Sequence, residues 1–288
     1  MGRLRQVGGR VLDGAGLRRA RTVDRQLAKL RAERDTARAK LAKTAKARDG
    51  YREKAAALTG ELADLRAAGA PGDRDDLEYA FVVTYGRSGS TLLQGILSAA
   101  PGVMIRGENG GALQHLFQFH RTVTGHRDRL ARPAPLPDTH PWWGIDGYPD
   151  ETALRELRRL LLDTVLRPTG STRLVGFKEI DWPVDDLPAV LDFTRAVFPG
   201  ARFILNTRNL DEVAASKWWA GRPDARARLE EMEQAYLDAI AGLGDAAYRV
   251  HYDDYVADPA ALRGLFEWLG LPFDEDRVRA VMAVRHSY

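Results

Sequence analysis

The chain has 288 residues, 44% of them hydrophobic, and no cysteine; it can build one sizeable domain plus an extension, and it excludes a disulfide framework or a thiolate metal site. No apolar run approaches the roughly 18 residues of a membrane span, and no apolar stretch follows the basic N-terminus, so neither a span nor a secretory leader is expected and the reading is cytoplasmic. The net charge of +3 is uneven: residues 1–70 hold 18 Lys+Arg against 8 Asp+Glu, a balance of +10, and the remainder holds 25 against 32, a balance of −7.

Residues 1–16 contain five glycines and read as a flexible basic tail. Over 17–69 an apolar 3-4 spacing predicts a coiled-coil helix. Its seam runs through Leu27, Leu30, Arg34, Ala37, Leu41, Thr44, Arg48, Tyr51, Ala55, Leu58, Leu62 and Leu65. Arg34, Thr44 and Arg48 weaken the middle of the seam, and Gly50 and Gly60 each cost about 1 kcal/mol relative to Ala. A helix of this length cannot bury itself, which points to a homo-oligomer; a lone charged helix is the alternative. Its basic surface suits weak contact with an anionic surface, and nothing in it specifies a nucleic acid. Ala70-Pro71-Gly72-Asp73 opens a linker over 70–76.

The globular part spans 77–288. Tyr79–Thr84 reads as a buried strand, followed by a Gly/Ser turn and a helix over Thr91–Leu97. Further strands are expected at Arg173–Lys178, Arg202–Thr207 and Tyr248–Tyr252, with a helix from Leu210 to Trp219. Strands alternating with helices predict an α/β fold, a P-loop-like parallel sheet flanked by helices. The stretch 132–149, rich in Pro and aromatics and holding Trp142 and Trp143, reads as a long ordered loop or lid.

Strand, glycine-rich turn and helix together make an anion cradle, because turn N–H groups and the helix N-terminus point at one place. Gly86 and Gly89 allow close approach, Ser88, Ser90 and Thr91 add hydroxyls, and Arg87 adds a charged planar fork. The kinase pattern G-x-x-x-x-G-K-[ST] is absent, since Ser90 stands where the lysine belongs. No aspartate ends a following apolar strand; the next strands end at Lys178 and Arg208 instead. Such a site suits a donor neutralised by side chains, with no metal required.

Tyr85-Gly86-Arg87-Ser88-Gly89-Ser90-Thr91-Leu92-Leu93 resembles the 5′-phosphosulfate loop of sulfotransferases that use 3′-phosphoadenosine 5′-phosphosulfate. The likeness is greatest to the tyrosylprotein and the bacterial carbohydrate or small-molecule sulfotransferases. The segment from Phe198 to Ser216 resembles the family's 3′-phosphate motif, in which a strand ends in Arg and a Ser follows eight residues later; here these are Arg208 and Ser216. Val250-His251-Tyr252-Asp253-Asp254-Tyr255-Val256 resembles the family's V-x-Y-E-D-L-V segment, which implies nucleotide contact by Tyr252. The resemblance covers roughly 79–275.

The resemblance further implies Glu108, in Arg106-Gly107-Glu108-Asn109, as general base, and Lys178 as the cation on the bridging oxygen, a role Arg87 can share. Glu179 or Asp181 is the reserve base, and His115 and His120 are weaker candidates. The implied reaction moves a sulfuryl group from the phosphosulfate donor to a hydroxyl of a carbohydrate, glycolipid or small molecule, releasing 3′,5′-adenosine bisphosphate. A late glycine-rich loop over the nucleotide is missing, and Arg285-His286-Ser287-Tyr288 is a candidate for part of that task. Trp218-Trp219 sets the chain apart from the tyrosylprotein enzymes. A P-loop kinase-like phosphotransferase and a non-catalytic coiled-coil scaffold remain as alternatives.

Overall fold

The computed structural model describes residues 14–67, 74 and 76–284. Most of the expected tail at 1–16, most of the linker at 70–76, and the C-terminal Arg285-His286-Ser287-Tyr288 lie outside the described residues. The chain divides into two compact units, Met1–Ala68 and Gly69–Tyr288.

The first unit is built on α1 (Gly14–Ala67), an unbroken helix of 54 residues, about 81 Å long at 1.5 Å rise per residue. Its Ala, Arg, Lys and Leu content favours helix strongly enough to carry Gly50 through the interior. Thr36 and Thr44 turn their hydroxyls back onto the carbonyls of Ala32 and Lys40, at 2.9 and 3.0 Å, and so offer no side-chain donor outward. Leu27, Leu30, Leu41 and Tyr51, all on the heptad seam, are exposed.

The second unit is an α/β sandwich around a parallel five-stranded sheet. The strands are β1 (Glu78–Val83), β2 (Val103–Arg106), β3 (Leu174–Glu179), β4 (Arg202–Thr207) and β5 (Ala247–His251), in the order β2-β3-β1-β4-β5. β1 is central because both its faces are apolar: Tyr79, Phe81 and Val83 enter one core, Ala80 and Val82 the other. Gly176 in β3 is required by that packing, since a Cβ there would run into the Ala80 carbonyl of β1.

One face of the sheet is covered by α3 (Ala112–Arg129), α4 (Asp150–Leu161), α5 (Leu187–Val197) and α7 (Ala225–Ala241), whose Phe117, Leu161, Leu191 and Tyr236 fill the larger core. The other face carries α2 (Ser90–Ser98), α8 (Tyr252–Ala257), α9 (Arg263–Trp268) and α10 (Glu275–Met282) over Leu93, Ile96, Tyr255, Phe266 and Val278. All five strands run parallel, so their C-terminal ends open on one edge. The chain passes from β1 to one side of the sheet and from β4 to the other, and ligand crevices form at such a switch. No helix among the described residues is long and apolar enough to cross a membrane.

Three local expectations change. The edge strand β2 was not expected at all. The helix expected from Leu210 to Trp219 is only α6 (Leu210–Ala214); Lys217 takes a left-handed φ of 44°, which no helix continues through, so Ser216 lies beyond the helix rather than two turns into it. Tyr252 opens α8 instead of closing the last strand. The stretch 132–149 is irregular apart from a 3-10 turn at Ile145–Gly147; Trp142 stacks on His126 with 4.6 Å between centroids, and Trp143 is exposed.

Candidate functional site

The loop between β1 and α2 is fixed from below by buried polar contacts. Thr84 Oγ1 donates to the Asn206 carbonyl at 2.7 Å and lies 2.6 Å from Ser88 Oγ. Asn206 Nδ2 donates to the Ser88 carbonyl at 2.9 Å, and Tyr255 holds the Asn206 amide from the far side at 3.0 Å. An unmatched amide in a buried strand would cost about 1–3 kcal/mol, so Asn206 is there for the loop. Tyr85 donates to Glu233 at 2.5 Å and accepts from the Arg208 backbone N–H at 3.0 Å; burial, then Glu233, pushes its phenol pKa up.

These anchors force two left-handed residues into the turn, Arg87 at φ 72° and Gly89 at φ 79°. The conformation suits glycine; for arginine it costs on the order of 1–2 kcal/mol. Strain of that kind, held by a buried network, belongs to a loop whose shape matters.

Each glycine is closed by an aromatic ring. A Cβ on Gly89 would run into the Tyr252 ring, and one on Gly86 into the Trp218 indole. Trp219 Nε1 holds the Gly86 carbonyl at 3.2 Å. Above the loop lies a cavity of about 630 Å³, with Arg87, Ser90, Thr91, Arg208 and Tyr252 on one part of its wall and Glu108, Lys178, Ile180 and Trp218 on another. That volume is in the range of small-molecule sites.

The two signature arginines meet here. Arg208 reaches the Arg87 carbonyl at 3.3 Å, bonds Glu212 at 2.5 Å and lies over the Tyr252 ring with 4.4 Å to its centroid. Its Nε is buried without a hydrogen-bond partner, and such a donor is unstable unless something accepts from it. Arg87 Nε donates to Ser216 Oγ at 3.2 Å, so Ser216 stands at the loop although it has left the helix.

Lys178, 4% exposed at the end of β3, is paired with Glu108, which sits in the turn after β2 and is exposed. A buried ammonium needs such a partner. The turn is held by Glu179, 3% exposed, whose Oε2 accepts from the N–H groups of Asn109 and Gly111 at 3.1 and 3.2 Å while Oε1 accepts from Ile180 at 2.8 Å. Glu179 is therefore engaged as a clamp and not available as a base. Asp181 is more exposed, with its pKa raised by burial and then by the charges of Glu179 and Glu108. His115 is exposed and His120 pairs with Tyr148 at 3.2 Å; neither reaches the cavity, and nor does the stretch 132–149.

Gly86, Arg87, Gly89, Ser90, Thr91, Glu108, Lys178, Arg208 and Tyr252 thus line one cavity, with Ser88 beneath it and Ser216 beside Arg87. Not anticipated were Ile180, Trp218, Leu92, Met282 and Val284 in its wall, and Asn206 below it. Asn206 was detectable as a lone amide directly after the run Phe203-Ile204-Leu205 in the same strand; the others depend on tertiary packing. Among the described residues no group of His, Asp or Glu is placed to hold a metal ion.

Residues 80–275 match the model of the sulfotransferase family. Among solved structures, the sulfotransferase domain from the Synechococcus PCC 7002 olefin synthase is 22% identical, covering 74% of this chain and 80% of that one with a TM-score of 0.45. The sulfotransferase domain from the curacin biosynthetic pathway is 17% identical, covering 70% and 76%, TM-score 0.43. Sulfotransferase STF9 from Mycobacterium avium is 14% identical, covering 79% and 73%, TM-score 0.44. No curated protein matches the chain.

Proposed function

The chain belongs to the sulfotransferase family and is a sulfotransferase, and from that premise we propose that its donor is 3′-phosphoadenosine 5′-phosphosulfate and its acceptor a hydroxyl of a carbohydrate, glycolipid or small molecule. The observation that supports the donor is that the Arg208 guanidinium and the Gly86–Thr91 loop line one cavity. It gives two anion-binding points in one pocket, as a donor phosphorylated at both ends of its ribose requires. The backbone and hydroxyls of Gly86, Arg87, Ser88, Gly89, Ser90 and Thr91 hold the 5′-phosphosulfate, Arg208 and Ser216 hold the 3′-phosphate, and Tyr252 packs against the nucleotide.

The donor brings the activated sulfuryl group; the chain supplies placement and proton control. Glu108 takes the proton of the acceptor hydroxyl as its oxygen attacks sulfur. Lys178, with Arg87, neutralises the phosphate oxygen that keeps the electron pair of the broken S–O bond. Lys178 must release Glu108 for this, and the incoming phosphosulfate is the anion that exchanges for it.

Calorimetry tests the donor: 3′,5′-adenosine bisphosphate binds without magnesium, and tighter binding of ATP–magnesium refutes the assignment. The exposed seam of α1 supports pairing with a second copy of the chain; sedimentation of the protein with and without residues 1–68 settles it, an unchanged subunit number ruling it out.

A further inference from the structure

The charges of α1 are unevenly placed about its exposed seam. In heptad terms, abcdefg, the a sites hold Leu27, Arg34, Leu41 and Arg48, and the d sites hold Leu30, Ala37, Thr44 and Tyr51. The flank beside d, at the e sites, carries Arg31, Arg38, Ala45 and Arg52. The flank beside a, at the g sites, carries Gln26, Glu33, Lys40 and Ala47. One flank is thus arginine without acid, and the other is mixed. When two such helices pair, these flanks decide orientation.

An antiparallel pair sets e against e, so the arginine rows would face each other and repel. A parallel pair in register sets each g residue against the e residue five positions later on the second copy. Gln26 then meets Arg31, Glu33 meets Arg38, Lys40 meets Ala45, and Ala47 meets Arg52. None of these four pairs joins like charges, and one joins opposite charges. Glu33 is available for it, since its own helix offers only a loose 3.9 Å contact with Lys29.

The seam also contains two arginines, Arg34 and Arg48, which lie 48 − 34 = 14 residues apart and so occupy the same site two heptads apart. Each offers two donors to the carboxylate that follows it, Arg34 to Asp35 at 2.9 and 2.7 Å and Arg48 to Asp49 at 3.0 and 2.9 Å. Asp35 and Asp49 stand at b, on the outer side, so the charge is answered off the seam while the aliphatic stem covers it. A polar residue at a also selects register and strand number, at a cost in stability; long, solvated arginine heads suit two helices, whose a sites border water, better than an enclosed larger bundle.

We propose that α1 pairs with α1 of one second copy of this chain, parallel and in register, through the seam from Leu27 to Tyr51. This rests on the pairing proposed above and gives its orientation and strand number. The linkers to both sulfotransferase units then start from the same end of the rod.

The chain holds no cysteine, so a disulfide reports only an introduced site. In the full-length protein, Leu27→Cys and Tyr51→Cys, made singly, should each form a covalent dimer under oxidised glutathione. A mixture of the two variants, one carrying a mass tag, should give no crosslink between them, because the sites lie about 36 Å apart along the rod at 1.5 Å per residue. Ala39→Cys, on the outer row, should stay unlinked. Sedimentation of the unaltered protein should give twice the subunit mass. Glu33→Lys and Arg38→Glu should each weaken the dimer by roughly threefold or more, and the double variant should recover most of the loss. Crosslinking only between the two different variants means an antiparallel pair and overturns the proposal. So does equal crosslinking at Ala39→Cys, no crosslink at either seam site, an assembly of three or more chains, or no recovery in the double variant. A protein that stays monomeric overturns the pairing itself, and this proposal with it. The donor assignment is read separately, by nucleotide binding.

Discussion

Gly86 and Gly89 sit three residues apart in one turn and are each covered by an aromatic ring, yet the two rings are held differently. Tyr252 is wedged between Gly89 and the Arg208 guanidinium, packs edge-on against buried Tyr255, and belongs to the core under α2. Trp218 rests on Gly86 with half its surface in solvent and follows a strained residue outside any helix. One end of the loop is locked and cationic; the other is apolar and free to adjust. In the function proposed above, the rigid, cationic end is the one assigned to the donor.

The largest expected effect separates chemistry from both ends. Glu108→Gln should lower kcat by about 10²–10⁴-fold while leaving the Kd of 3′,5′-adenosine bisphosphate unchanged; parallel loss of binding would make Glu108 part of the donor site instead. Arg208→Ala removes charge-assisted bonds of the locked end and should weaken the bisphosphate by about 10–100-fold, read by calorimetry, with acceptor KM nearly constant. The glycines sharpen the contrast. Gly89→Ala combines a left-handed φ with a trapped ring and should destabilise the protein by about 2–4 kcal/mol in urea melts. Gly86→Ala meets a ring that can swing out and should cost about 1 kcal/mol or less; equal losses would show that both ends are locked alike.

The smallest effect lies beside the yielding end. Burial, then the charges of Glu179 and Glu108, raise the pKa of Asp181, so its ionised form disfavours the fold. That penalty is absent below the ordinary value of 3.8 and grows as pH rises through it. Asp181→Asn should therefore raise Tm slightly at neutral pH and not at pH 3, and a gain of the same size at both would remove the electrostatic explanation.

The sheet was legible where strands are buried on both faces: Phe81-Val82-Val83 and Phe203-Ile204-Leu205 are runs that little else explains. β2 was not, because Val103 to Arg106 is a four-residue edge strand with alternate side chains half-exposed, and its apolar signal is too short. The helix after β4 was over-extended because Ala214, Ala215 and Lys217 all favour helix, and only the left-handed turn at Lys217 stops it. In the site, the loop was legible as strand, glycine turn and helix, whereas Glu108, Lys178, Arg208, Ser216 and Tyr252 were singled out through the resemblance to a family. That Ile180 and Trp218 meet over Gly86 is set by how the ends of β3 and β4 pack around β1, and no spacing encodes it.

The alternation of β1 has a consequence for how this protein tolerates change. Its side chains feed two separate cores, so the strand end that carries the loop is braced by two independent sets of neighbours. A defect in one layer leaves the other still gripping the strand. Core lesions in such a molecule are felt first as a smaller folded population and only later as a distorted turn, so activity per folded molecule holds steady and then fails together with the fold. Mutational drift can proceed in either layer alone, behind a threshold, without retuning the Gly86–Thr91 turn.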